Sequence, residues 1–248
     1  MMRSSNPVLQ SFSNARGQTL DVTNPMTIQG VILKSGILFL CVLLTAGFTW
    51  MKFMQAGQEP SAVSGWMTLG LFGGFILAMA TVFKAEWAPA TSVVYALFQG
   101  LFLGGISAMF EAQFPGIVIQ AAGLTFGTLA AMLLAYQSGV IRVTEKFKLG
   151  VVAATGGIAL VYIASIVLSF FNIPVGFIWS NGIGGILFSL FVVTIAALNL
   201  VIDFDFIEQG AKRGAPKYME WYGAFALMVT LIWLYIEFMR LMIKARSR

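Results

Sequence analysis

Val31-Ile-Leu-Lys-Ser-Gly-Ile-Leu-Phe-Leu-Cys-Val-Leu-Leu-Thr-Ala-Gly-Phe-Thr-Trp-Met-Lys-Phe53 is apolar almost throughout. A helix needs about 20 such residues to cross the hydrocarbon core of a bilayer, and this run has no period-two alternation. Inside lipid, only helices and closed barrels satisfy every backbone polar group. The run therefore predicts a membrane helix. Six more follow at about 65–83, 93–110, 117–135, 149–171, 182–202 and 221–243. The fold class read from this pattern is an all-α integral membrane protein, a bundle of seven transmembrane helices over residues 30–248.

Composition agrees. Of the 248 residues, 58% are hydrophobic and 10% charged, and the mean hydropathy is +0.86; a soluble domain carries about 25% charged residues. The connectors hold Pro60, Pro89, Pro115-Gly116, Pro174 and Pro216. Trp50, Trp66, Trp87, Trp179 and Trp221 fall at the ends of predicted spans, as an aromatic belt does. Residues 1–29 are polar and interrupted by Pro7, Gly17 and Pro25. They read as a cytoplasmic tail with no spanning segment and no secretory signal.

The net charge of +5 comes from 15 basic and 10 acidic residues, and topology explains it better than nucleic-acid binding. With the N-terminus inside, the inner side collects Arg3, Arg16, Lys84, Arg142, Lys146, Lys148, Lys212, Arg213 and Lys217, against Lys52 in the outer loops. The positive-inside rule then expects a multi-pass protein of the cell membrane, N-terminus cytoplasmic. Arg240, Lys244, Arg246 and Arg248 run against it. The seventh segment either crosses despite them or is re-entrant.

The chain has no histidine and one cysteine, Cys41. Histidine triads, histidine zinc sites and intrachain disulfides are excluded. An intramembrane aspartyl protease needs aspartates on two spans, yet besides Asp203 and Asp205 the chain has only Asp21, in the tail. The expectation is a protein that is not an enzyme. GxxxG spacings at Gly70/Gly74, Gly100/Gly104 and Gly123/Gly127 read as helix packing.

Ionisable groups inside spans are costly and tend to mark function. They are Lys34, Asp203, Asp205 and Glu237, with the amides Gln99 and Asn199 as polar lining. At ~100° per residue, Asp203 shares a face with Asn199, and Asp205 points about 200° away. Lys34, Lys84, Asp203 and Asp205 share one depth, so Lys34 or Lys84 is expected to pair with Asp203 or Asp205 and close the cytoplasmic side of a cavity. Calcium takes six to eight oxygens; Asp203 and Asp205 would bind it weakly, as a permeant ion rather than a tightly held cofactor. Without histidine, any response near neutral pH falls to carboxylates.

Ala90-Thr-Ser-Val-Val-Tyr-Ala-Leu-Phe-Gln-Gly-Leu-Phe-Leu-Gly-Gly-Ile-Ser107 resembles the third-span signature of the Bax inhibitor motif family. Ser5-Asn-Pro-Val-Leu9, Leu198-Asn-Leu-Val-Ile-Asp-Phe-Asp-Phe-Ile-Glu-Gln-Gly-Ala211 and Tyr218-Met-Glu-Trp-Tyr222 resemble its bacterial branch. The resemblance implies a central helix wrapped by six others and an aspartate pair on the last two helices that gates a pH-sensitive calcium leak. Other members restrain a membrane protease, the partner of an alternative, non-conducting reading. By position Asp203 matches the sixth-helix aspartate, with Asp205 as competitor, and Leu234-Tyr-Ile-Glu-Phe238 makes Glu237 the match on the seventh. Depth objects to that pair: Ala224 or Phe225 is expected level with Asp203, leaving Glu237 ~18 Å farther along at 1.5 Å per residue. Gln99 stands where that family commonly has glutamate.

Overall fold

The computed structural model describes residues 24–171 and 176–247, apart from the side chains of Phe177 and Trp179. Residues 1–23 of the expected tail, with Arg3, Arg16 and Asp21, lie outside the described residues, as do Arg248 and the side chain of Trp179. Among the described residues, seven helices are long and apolar enough to cross a membrane. They are α1 (Ile28–Gln55), α2 (Ser61–Phe83), α3 (Ala88–Gln113), α4 (Ile117–Gln137), α5 (Glu145–Phe170), α6 (Ile183–Lys212) and α7 (Met219–Arg246). A 3-10 turn, Ala85–Trp87, precedes α3, and a short helix, Gly176–Trp179, precedes α6.

Each helix outruns its apolar stretch because local chemistry extends the ends. Thr27 caps α1 by accepting the Gly30 N–H at 3.0 Å, and Thr144 caps α5 by accepting from Phe147 at 3.2 Å. Pro89 falls inside the first turn of α3, where its missing N–H costs nothing. The α3–α4 turn closes on Gly116 with φ +81°. The Glu111 carboxylate accepts the N–H groups of Gly116 (2.6 Å) and Val118 (3.0 Å) and caps α4.

α7 is the central helix, packed against α1, α3, α4 and α6. One face joins α1 and α3 through Leu38, Val42, Tyr95, Phe225 and Met228. Another joins α4 and α6 through Ala121, Leu200, Phe204, Leu234 and Phe238. α5 lies outside, against α6, through Ile158, Val192 and Ile195. A Cβ on Gly70 would lie 2.5 Å from the Phe98 carbonyl, and Gly100 and Gly104 press against the α1 backbone at Val42 and Ala46. Two of the three glycine pairs thus make close helix seams. Gly123 and Gly127 meet nothing within 4 Å, so their spacing packs no helix here.

The seventh segment runs the full length of the bundle. Its start lies beside the α1 N-terminus, where Met26 N–H bonds the Ala215 carbonyl at 2.7 Å. At its far end, Arg246 donates to the Pro115 carbonyl (3.1 Å) and Gln120 (2.8 Å) in the α3–α4 region. A re-entrant segment would return to the first of these places.

Candidate functional site

Three polar clusters are strung along α7. At the N-terminal end of the bundle, Glu220 is fully buried in the first turn. It accepts Thr27 N–H and Thr27 Oγ1, each at 2.9 Å, and pairs with Lys217 at 2.9 Å and with Lys34. A side chain at Gly30 would fall on the Glu220 carboxylate, so the cluster needs glycine there. Lys34 also lies over the Trp221 ring, 5.5 Å from its centroid. In the neighbouring turns, burial and then the Glu86 carboxylate push the Tyr218 phenol above its ordinary value.

The expected partners of Lys34 and Lys84 are corrected accordingly. Lys34 pairs with Glu220, not Asp203 or Asp205. Lys84 is exposed and sits 4.3 Å from the centroid of the Trp87 ring. The lysine that does reach an aspartate is Lys148, in the first turn of α5, 2.9 Å from Asp205. In the sequence Glu220 precedes the apolar run of the seventh span and reads as a loop charge. Lys217, three residues before it in the turn that leads into α7, is the signal that points to a pair there.

Midway along α7, Thr230 donates to Asp203 at 2.6 Å. Asp203 is therefore level with Thr230, not with Ala224 or Phe225. The reason is helix length. α6 continues past Gln209 to Lys212, and each added residue before the turn moves the facing position one residue along α7.

Glu237, 1% exposed, lies seven residues beyond Thr230, about 10 Å along the axis. It accepts Tyr162 Oη at 3.0 Å and Arg240 at 2.9 Å. Asp203 and Glu237 are thus held by different partners at different depths, and do not form a pair. In the next turns, Lys244 is 3% exposed and donates to the Ile178 and Gly185 carbonyls (2.6 and 3.0 Å) and Ser189 Oγ (2.9 Å).

A cavity of about 980 Å³ opens between α1, α4, α6 and α7 at the N-terminal end. Its polar wall holds Tyr136, Gln137, Arg142, Asp205 and Glu208, with Ser35 across from them on α1, and most of the rest is apolar. Tyr136 donates to Glu208, which also pairs with Lys212. Asp205, not Asp203, is the aspartate on this wall. The two point apart as their spacing requires, so they cannot serve as joint ligands of one ion.

A second chamber of about 340 Å³ lies deeper, between α1, α3, α4 and α7. Phe39, Phe126, Met228 and Leu231 line both spaces and separate them. The Phe39 and Phe126 rings meet edge-on, centroids 5.3 Å apart.

The two amides lie elsewhere. Asn199 donates to Thr155 (2.8 Å) and the Ile195 carbonyl (2.9 Å), in the α5–α6 seam. Gln99 packs over Gly74 in the α2–α3 seam. Neither lines these two spaces.

The arrangement is a vestibule of about 980 Å³ with paired charges at its mouth and an apolar constriction below. No curated protein and no solved structure matches the chain. A family model described as Bax inhibitor 1 like matches residues 6–247, and the chain, whose seven apolar helices include the central α7, belongs to the Bax inhibitor 1-like family of membrane proteins.

Proposed function

We propose that this chain is a pH-modulated cation channel or transporter with calcium as the permeant ion, set in the cell membrane with its N-terminus cytoplasmic. The observation that carries the reading is the vestibule: four spans line it, and Asp205 stands on its wall, held by Lys148 from a fifth. The Asp205–Lys148 pair ties the start of α5 to the end of α6 across the mouth. The Asp205 carboxylate holds Lys148; with that charge removed the tie is released, and the start of α5 is free to move away from the mouth. On this reading gating falls to Asp205, while Asp203 bonds Thr230 and Glu237 bonds Tyr162 and Arg240 away from the mouth.

The test is calcium entry into indicator-loaded liposomes across a pH series. Wild-type flux should rise as pH falls. Asp205→Asn and Lys148→Met should both leak at every pH, with little further rise on acidification. No flux from any of the three at any pH would remove the conducting reading.

A second reading, a non-conducting regulator of another membrane protein such as a protease, is favoured by one observation. Met26 is buried and Thr27 is bonded to Glu220, which fixes where the tail leaves the bundle. On that reading, deleting residues 1–23 abolishes capture of the partner; capture that survives deletion counts against it.

A further inference from the structure

We infer that the groove between α1 and α4 is a binding site for an acyl chain of an anionic phospholipid, whose headgroup lies at Arg142. α1 and α4 do not pack along their lengths; the Phe39–Phe126 ring contact bridges a cleft floored by α7. The chamber beneath that contact is bounded almost wholly by apolar side chains. Ile32, Leu43, Phe126 and Leu133 on its lips are exposed, and in a bilayer what they are exposed to is hydrocarbon.

The lining suits a hydrocarbon occupant. The inner chamber is small, about 340 Å³, and bounded almost wholly by apolar side chains, as an unbranched acyl tail requires. The glycines agree: Gly36 and Gly47 line the groove, yet a Cβ on either would meet nothing within 4 Å. Unlike Gly70 or Gly104, they bring no neighbouring backbone close, and they leave space.

Charge at the mouth selects the headgroup. Asp205 is held by Lys148, and Glu208 by Lys212 and Tyr136. Arg142 is exposed on the cavity wall, and among the described residues no carboxylate lies within 4.0 Å of it. A guanidinium binds a phosphate through two parallel N–H donors. The proposal does not depend on whether the chain conducts.

The test is native mass spectrometry of the full chain extracted from vesicles of phosphatidylcholine and phosphatidylglycerol in equal parts. The wild type should retain one phosphatidylglycerol. Gly36→Phe with Gly47→Phe fills the groove and should retain roughly tenfold less, a change of about 1.4 kcal/mol. Arg142→Gln should keep a lipid but lose the preference for phosphatidylglycerol. Gly157→Phe, on the open face of α5, should match the wild type.

Equal retention by the filled variant overturns the site, as does equal loss from Gly157→Phe. A persistent phosphatidylglycerol preference in Arg142→Gln overturns the headgroup assignment. Should the filled variant fail to fold, photo-crosslinking of wild type with a diazirine-tailed phosphatidylglycerol decides: adducts on the α1 and α4 lips support the groove, and adducts confined to α5 refute it. A detergent dimer that the filled variant splits would assign the groove to a second copy, against the proposal.

Discussion

Glu220 shows how much one side chain can hold in this bundle. Its carboxylate is buried at the start of α7, where the helix dipole favours negative charge, and it satisfies two lysines and a backbone N–H from α1 and the preceding turn. Breaking a buried pair by removing one partner typically costs about 3–5 kcal/mol, because the other charge is stranded. Glu220→Gln is therefore expected to lower unfolding stability in detergent by about that amount, since the Lys34 side chain is only 14% exposed. Lys34→Met should cost a similar amount, and the double variant clearly less than the sum. Strictly additive costs would show that the two side chains do not depend on each other. At the far end of α7 the same logic separates two arginines. Arg240 sits in the buried Glu237–Tyr162 cluster, whereas Arg246 bonds at the surface. Arg240→Met should cost several kcal/mol and Arg246→Met no more than about 1 kcal/mol, read from the same unfolding curves.

At the scale of elements, the seams between helices divide the glycines into two kinds. Adding a methyl group at Gly70 drives it into the α3 backbone at Phe98 and Phe102, and overpacking of this sort costs about 1–3 kcal/mol. At Gly123 the same methyl meets open space, and replacing glycine inside a helix gains roughly 0.5–1 kcal/mol. Gly70→Ala should thus unfold more readily than the wild type and Gly123→Ala less readily; the reverse order would contradict the seam. The same contrast shows what could be read in the sequence. Spans are legible because hydropathy is a property of each segment alone, and all seven emerge at nearly their true positions. GxxxG spacing is also a property of one helix, but whether it packs depends on which helix lies opposite, and so Gly123/Gly127 misled. Charge partners are harder still. Asp205 and Lys148 are brought together by α5 lying against α6, and nothing in either segment specifies that. The depth of Asp203 was misjudged by a smaller error, because α6 stays helical through Glu208, Gln209 and Lys212 after its apolar run has ended.

For the whole molecule, the placement of α7 between two helix layers decides where the chain ends. Because seven segments cross, the turns at 56–60 and the C-terminus share one face, and the turn at 138–144 lies on the other. The basic C-terminus had argued against that arrangement, since free cations resist translocation. Three of those cations have partners in the folded bundle: Arg240 is paired with Glu237, Lys244 is surrounded by carbonyl and hydroxyl oxygens, and Arg246 is bonded to Pro115 and Gln120. By number the rule weighs Lys84, Arg142, Lys146, Lys148, Lys212, Arg213 and Lys217 at the N-terminal end against Lys52 and these three at the other, with Arg248 outside the described residues. Orientation can then be tested in a Cys41→Ala background with single cysteines and a thiol reagent that does not cross membranes. Gln58→Cys and Ser247→Cys are expected to label on intact cells, and Val140→Cys only after the membrane is opened. If Ser247→Cys instead labels together with Val140→Cys, α7 does not cross. If all three are reversed, the crossing stands and the N-terminus is outside, which would place the vestibule and its Asp205–Lys148 tie on the outer face, where external pH would control it.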